Sequence, residues 1–142
     1  MGMLIDATNL ILGRMASIVA KRLLAGEEVT IINAEKAVVT GRRKEIFDEY
    51  DARMRIRSLT NPRKGPFHPR RPDDLVRRTV RGMLPYDKPK GREAYKRLRV
   101  YVGAPPDVQE KACSLPEAHI DRLSAKRFVK IEELSKHFGV KL

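Results

Sequence analysis

The strongest constraint on the fold lies between Met3 and Asn33, where the spacing of apolar side chains changes twice. Met3 to Asp6 is a short apolar run. Met15, Ile18, Val19 and Leu23 then recur at helical spacing with Lys21 and Arg22 off that face, and Val29 to Asn33 is rich in β-branched residues. Gly26 stands where a helix-ending glycine belongs, and Ala7 to Gly13 reads as the connector into the helix. Strand, helix and strand in about thirty residues form a βαβ unit. A crossover of that kind joins parallel strands, so the chain is predicted to be α/β with a parallel sheet.

Such a start raises the question of a nucleotide site, because phosphates bind at the N-terminus of the helix after the first strand. The connector argues against one. It holds a single glycine, Gly13, where a dinucleotide fingerprint needs three and a phosphate-binding loop needs two followed by Lys-Ser/Thr. Gly13 is better read as permitting a tight turn or close packing.

Charge sets the next constraint. Residues 53–99 carry twelve arginines and four lysines against four carboxylates, an excess equal to the +12 of the whole chain, so the two ends are electrically balanced. An excess so concentrated is the footprint of a polyanion binder rather than of an ordinary solvated face, and the arginine fork suits phosphate better than an ammonium does.

Leading into this stretch, Lys36 to Thr40 is a second β-like run closed by Gly41. From Arg42 helical spacing returns, with Ile46, Phe47, Tyr50 and Met54 on one face and Glu45, Asp48, Glu49 and Asp51 on the other. Arg53, Arg55 and Arg57 come at its C-terminal end, where cations suit the helix dipole and are also placed to meet RNA. Between Thr60 and Pro72 there are four prolines in eleven residues (62–72), which excludes a helix or a central strand and predicts a stiff cationic arm. Arg63, Lys64, Arg70 and Arg71 supply its charge, and Phe67 and His68 are its stacking groups for bases or riboses. With no apolar periodicity to tie it to a core, the arm is expected to be ordered on RNA and mobile without it.

Asp73 and Asp74 suit the N-terminus of a further helix in which Leu75, Val76, Val80, Met83 and Leu84 line one side and Pro85 ends the pattern. Arg77, Arg78 and Arg81 share another side, the best phosphate-contact surface in the chain. Tyr86 to Arg97 reads as a basic turn with Pro89 and Gly91 followed by a short helix, and Lys88, Lys90 and Arg92 extend the cationic set. Leu98, Val100 and Val102 alternate as a strand, stopped by Gly103-Ala104-Pro105-Pro106. Asp107 to Leu142 is charge-balanced, with a loop expected to about Pro116, extended structure near Phe128 to Ile131, and a last helix bearing Leu134 and Phe138.

Other functions find little in these residues. Cys113 is the only cysteine, and His68, His119 and His137 are far apart, so no metal and no cofactor are expected. No apolar run approaches the ~20 residues that span a bilayer. A cytoplasmic protein with no membrane partner is expected. A metal-dependent nucleic-acid enzyme would need paired carboxylates, and the only adjacent pair in the basic stretch, Asp73-Asp74, is explained more simply by the helix start. A DNA regulator reading the major groove would want Asn or Gln beside Arg77, and no dimerisation repeat is visible, so no homo-oligomer is expected.

Several spaced blocks also resemble a known family, the universal large-subunit ribosomal protein 13 family in its archaeal and eukaryotic form. They are Asp6-Ala-Thr-Asn, Leu12-Gly13-Arg14-Met15-Ala16-Ser17, Ile32-Asn33-Ala34-Glu35-Lys36, and above all Val80-Arg81-Gly82-Met83-Leu84-Pro85 followed by Gly91-Arg92 and Leu98 to Gly103. The arm from Asn61 to Pro72 resembles the segment that separates this form from the bacterial one. The resemblance spans about residues 3–106 and is weaker in the tail. It implies one domain over residues 1–142, with the arm at about 60–72 and a C-terminal extension at about 107–142. It further implies a three-layer α/β/α fold around a four-stranded, mainly parallel sheet, with no catalysis, and a structural role in the large ribosomal subunit. Large-subunit ribosomal RNA and neighbouring ribosomal proteins would be the partners, and subunit assembly the process it supports.

Overall fold

The structure is a computed structural model and describes residues 2–107, 112–113, 115–124 and 126–142. Strand β1 (Gly2–Asp6), helix α1 (Leu12–Leu24) and strand β2 (Glu28–Ile32) form the expected βαβ unit, with β1 and β2 parallel and Ile5 opposite Ile31. One edge of α1 carries Met15, Ala16, Val19 and Leu23, all fully buried. The helix ends in a Schellman motif at Gly26 (φ +95°): Gly26 N–H donates to Leu23 O at 3.1 Å and Glu27 N–H to Arg22 O at 3.2 Å. Its start is earlier than expected. Gly13 lies in the first turn of α1, and a Cβ added there would meet nothing within 4 Å, so neither a tight turn nor close packing requires this glycine.

Strand β2 is central, flanked by β1 and by β4 (Leu98–Val100), parallel to both. Burial on both faces suits the Ile31-Ile32 pair, where neighbouring side chains on opposite faces are both buried. The sheet differs from the expected four strands: among the described residues it has three. Next to β1 a fourth place is marked by a single parallel bridge, Ile5 to Cys113, with Cys113 N–H donating to Leu4 O at 2.7 Å. Instead, β3 (Val38–Thr40) pairs antiparallel with β5 (Phe128–Lys130) as a separate two-stranded sheet.

Helix α2 (Arg43–Arg55) and helix α5 (Ile131–His137) close around this second sheet, where Ile46, Val129 and Leu134 form a small cluster with Phe47, Tyr50 and Phe138 against it. Helix α3 (Pro72–Gly82) packs on α1 and β4 through Leu75, Val76 and Val80 and joins the main core. Helix α4 (Pro89–Lys96) follows, so Pro89 and Gly91 belong to the helix rather than to the turn before it. Proline at the first helical position is favoured because its missing N–H would have no partner there, and Pro72 opens α3 in the same way. Val102 lies beyond the end of β4 and is 38% exposed.

Candidate nucleic-acid interface

Three of the predicted contact residues come from the end of α2. Arg53 pairs with Glu49 one turn back, and its guanidinium lies 5.0 Å over the Tyr50 ring. Burial pushes the Tyr50 phenol above its usual pKa, with Arg53 opposing the shift, so the ring stays neutral beneath the cation. Arg55 ends the helix and Arg57 follows it, both exposed and neither ion-paired among the described residues.

The arm is less independent of its own domain than its composition suggests. Asn61 Oδ1 accepts from the Arg63 N–H at 3.2 Å and caps a 3₁₀ turn at Pro62–Lys64. Gly65 folds back on Ser58, so closely that an added Cβ would sit 3.0 Å from the Ser58 nitrogen. His68 Nε2 is 2.7 Å from Ile56 O, and since a carbonyl only accepts, Nε2 carries the proton and donates. That bond closes residues 56–68 into a loop. Arg63 and Lys64 are exposed along it, as is Phe67 at 69%, and Arg70 and Arg71 are exposed just beyond it. Arg71 is the N-cap residue of α3, its Nε 3.4 Å from Asp73 Oδ1 at ion-pair distance without hydrogen-bond alignment.

On α3 the three arginines part company. Arg77 lies 5.2 Å over the Tyr95 ring and Arg81 5.2 Å over the Tyr86 ring, while the two tyrosines meet edge to face at 5.6 Å. This clasp ties α3 to α4. Stacking uses the faces of these guanidinium groups and leaves edge N–H groups for phosphate, although Arg77 Nε is buried without a partner. Arg78 points elsewhere: with Arg81 it lines a cavity of about 450 Å³ whose other walls include Phe67, His68, Met54 and Leu75. At the start of α4, the N-cap residue Lys88 and Lys90 in the first turn are exposed. Arg92, exposed as well, donates from Nε to Tyr86 O at 3.1 Å and from Nη2 to Asp87 O at 3.4 Å, and so holds the α3–α4 connection.

A second cationic group lies outside the basic stretch. Arg42 and Arg43 at the start of α2 meet Lys126 and Arg127 before β5 around a groove of about 340 Å³. Arg42 and Arg43 are paired with Glu45 and Glu133. Because its members are 84 residues apart in the chain, only the β3–β5 pairing brings them together, and no local pattern marks them. Among the described residues no group of three or more His, Cys, Asp or Glu side chains is placed to hold a metal, and no helix is long and apolar enough to cross a membrane.

The sequence profile of the ribosomal protein L13 family matches residues 1–107. Proteins named large ribosomal subunit protein uL13 are similar over almost the full length. That of Methanocaldococcus jannaschii is 50% identical over 138 residues, covering 96% of this chain and 97% of that protein. That of Methanococcoides burtonii is 49% identical with the same coverage, and that of Halobacterium salinarum is 45% identical over 135 residues, covering 95% of this chain and 89% of that protein.

Proposed function

The chain belongs to the ribosomal protein L13 family, and from that premise we propose that it is a structural constituent of the large ribosomal subunit that binds ribosomal RNA and supports subunit assembly. The observation that carries this reading is near full-length similarity to proteins named for that subunit, in a chain whose entire net charge sits in one third of its length. The protein works in the ribosome, in the cytoplasm, without catalysis, as one domain among other large-subunit proteins. The three-layer α/β/α arrangement goes with this membership, the Ile5–Cys113 bridge standing where a fourth strand would lie.

The residues fall into roles. Arg55, Arg57, Arg63, Lys64, Arg70, Lys88 and Lys90 are exposed and offer charge to phosphates. Arg53, Arg77 and Arg81 are held on tyrosine rings and present oriented edges, which lowers the entropy lost on contact. Arg92 and Arg71 support the helix ends that carry the others.

Binding to deproteinised large-subunit ribosomal RNA, measured against duplex DNA at matched salt, tests the proposal. Preference for the ribosomal RNA is expected, and Arg55→Ala and Arg70→Ala should each lower the salt slope by roughly one without altering sequence preference. Equal affinity for duplex DNA would overturn it.

A further inference from the structure

We propose that the cavity between the arm and helices α2 and α3 takes one unstacked nucleotide of the bound RNA; the inference rests on the RNA-binding reading above and names what that surface captures. Its volume of about 450 Å³ falls in the range of roughly 300–1,000 Å³ typical of small-molecule sites. A nucleotide within a duplex is stacked and paired and cannot enter such a recess; a splayed one can.

The lining has two kinds of chemistry. Met54 and Leu75 give it an apolar floor, and Phe67 stands at its side with most of its ring in water, held there by a backbone that Pro66 and Pro69 stiffen. Arg78 and Arg81 supply cations to the same space, and Arg78 has no ion pair or hydrogen bond from its side chain among the described residues. A free phosphate would find no use for the apolar floor, and an apolar peptide would leave the arginines unpaired. A nucleotide satisfies both, its base against Phe67 and the floor and its phosphate on the arginines. His68 adds selectivity. With Nε2–H committed to Ile56 O, Nδ1 is the ring nitrogen left to meet a base edge or a ribose 2′-hydroxyl.

Chemical probing of 2′-hydroxyl reactivity on deproteinised large-subunit ribosomal RNA, free and bound to the full chain, tests this. The wild type should change the reactivity of one unpaired nucleotide within a wider protected region. Phe67→Ala should restore that nucleotide to its free reactivity and weaken binding roughly tenfold or more, as loss of one base–aromatic stack does, while the wider protection persists. Thr79→Leu narrows the cavity without changing charge and should restore the same nucleotide, which loss of general attraction would not do. Identical footprints for wild type and both variants would overturn the proposal while leaving RNA binding intact. No protection by the wild type at all would remove the RNA-binding reading and this inference with it.

Discussion

Asp6 shows how a residue that reads as part of a family motif earns its place through local bonding. Its Oδ1 accepts from the Thr8 N–H at 3.0 Å, the Thr8 hydroxyl at 2.6 Å and the Asn33 side-chain amide at 3.0 Å. Asn33 sits just after β2 with φ 56°, a left-handed conformation that asparagine tolerates better than most residues, so one carboxylate ties together the C-terminal ends of β1 and β2. Burial by itself raises the Asp6 pKa, but the bonds from Thr8 and Asn33 and the nearby Lys36 charge outweigh it and hold the group below its ordinary value. A depressed folded-state pKa means stability that is present above the unfolded value of about 3.9 and lost as pH falls through the folded one. Asp6→Asn should therefore lower Tm at pH 7, and thermal melts should show the gap to wild type closing as pH drops below about 4. A gap that stays constant with pH would mean the carboxylate's charge contributes nothing.

The most specific sequence block, Val80 to Pro85 with Gly91-Arg92, spells out the joint between α3 and α4. A Cβ on Gly91 would lie 2.0 Å from Pro85 O and 2.9 Å from the Tyr86 nitrogen, backbone atoms that cannot swing aside, so only glycine lets α4 fold back this closely. Arg92 then bonds the turn and the Tyr86–Tyr95 contact braces it. Gly91→Ala should cost about 1–3 kcal/mol through forced repacking of this turn, seen as a fall of several degrees in Tm. Gly82, the last residue of α3, has nothing within 4 Å of an added Cβ, and Gly82→Ala should leave Tm level or raise it. Opposite behaviour at the two glycines would contradict this account of the joint. Helix α1 is legible from a long periodic apolar face and strand β2 from its β-branched residues. The α3–α4 joint was readable only as a motif, since close backbone approach leaves no periodic trace.

Taken whole, the molecule is a neutral core that carries a cationic belt, and the arm is where the two meet. Replacing residues 61–69 with a short Gly-Ser bridge removes the arm's own turn bonds and, among the described residues, one hydrogen bond to the rest of the protein, His68 to Ile56, worth about 0.5–1.5 kcal/mol. The isolated protein should then lose only a few degrees of Tm, while binding to large-subunit ribosomal RNA falls sharply and its salt slope drops by about two with Arg63 and Lys64. A large loss of Tm would show the arm to be part of the domain's own framework. The parallel βαβ start, the concentrated charge and the proline-stiffened arm follow from the chain read in order, because apolar period, charge density and proline's fixed φ are local properties. Three features do not. β3 takes β5 as its partner in a separate sheet rather than joining β1, β2 and β4. Arg77 stacks on Tyr95, 18 positions further along, and Arg42 meets Arg127, 85 positions away, around one groove. Each depends on which distant segments come to lie side by side, and that choice rests on the packing of the whole core rather than on any stretch of neighbouring residues.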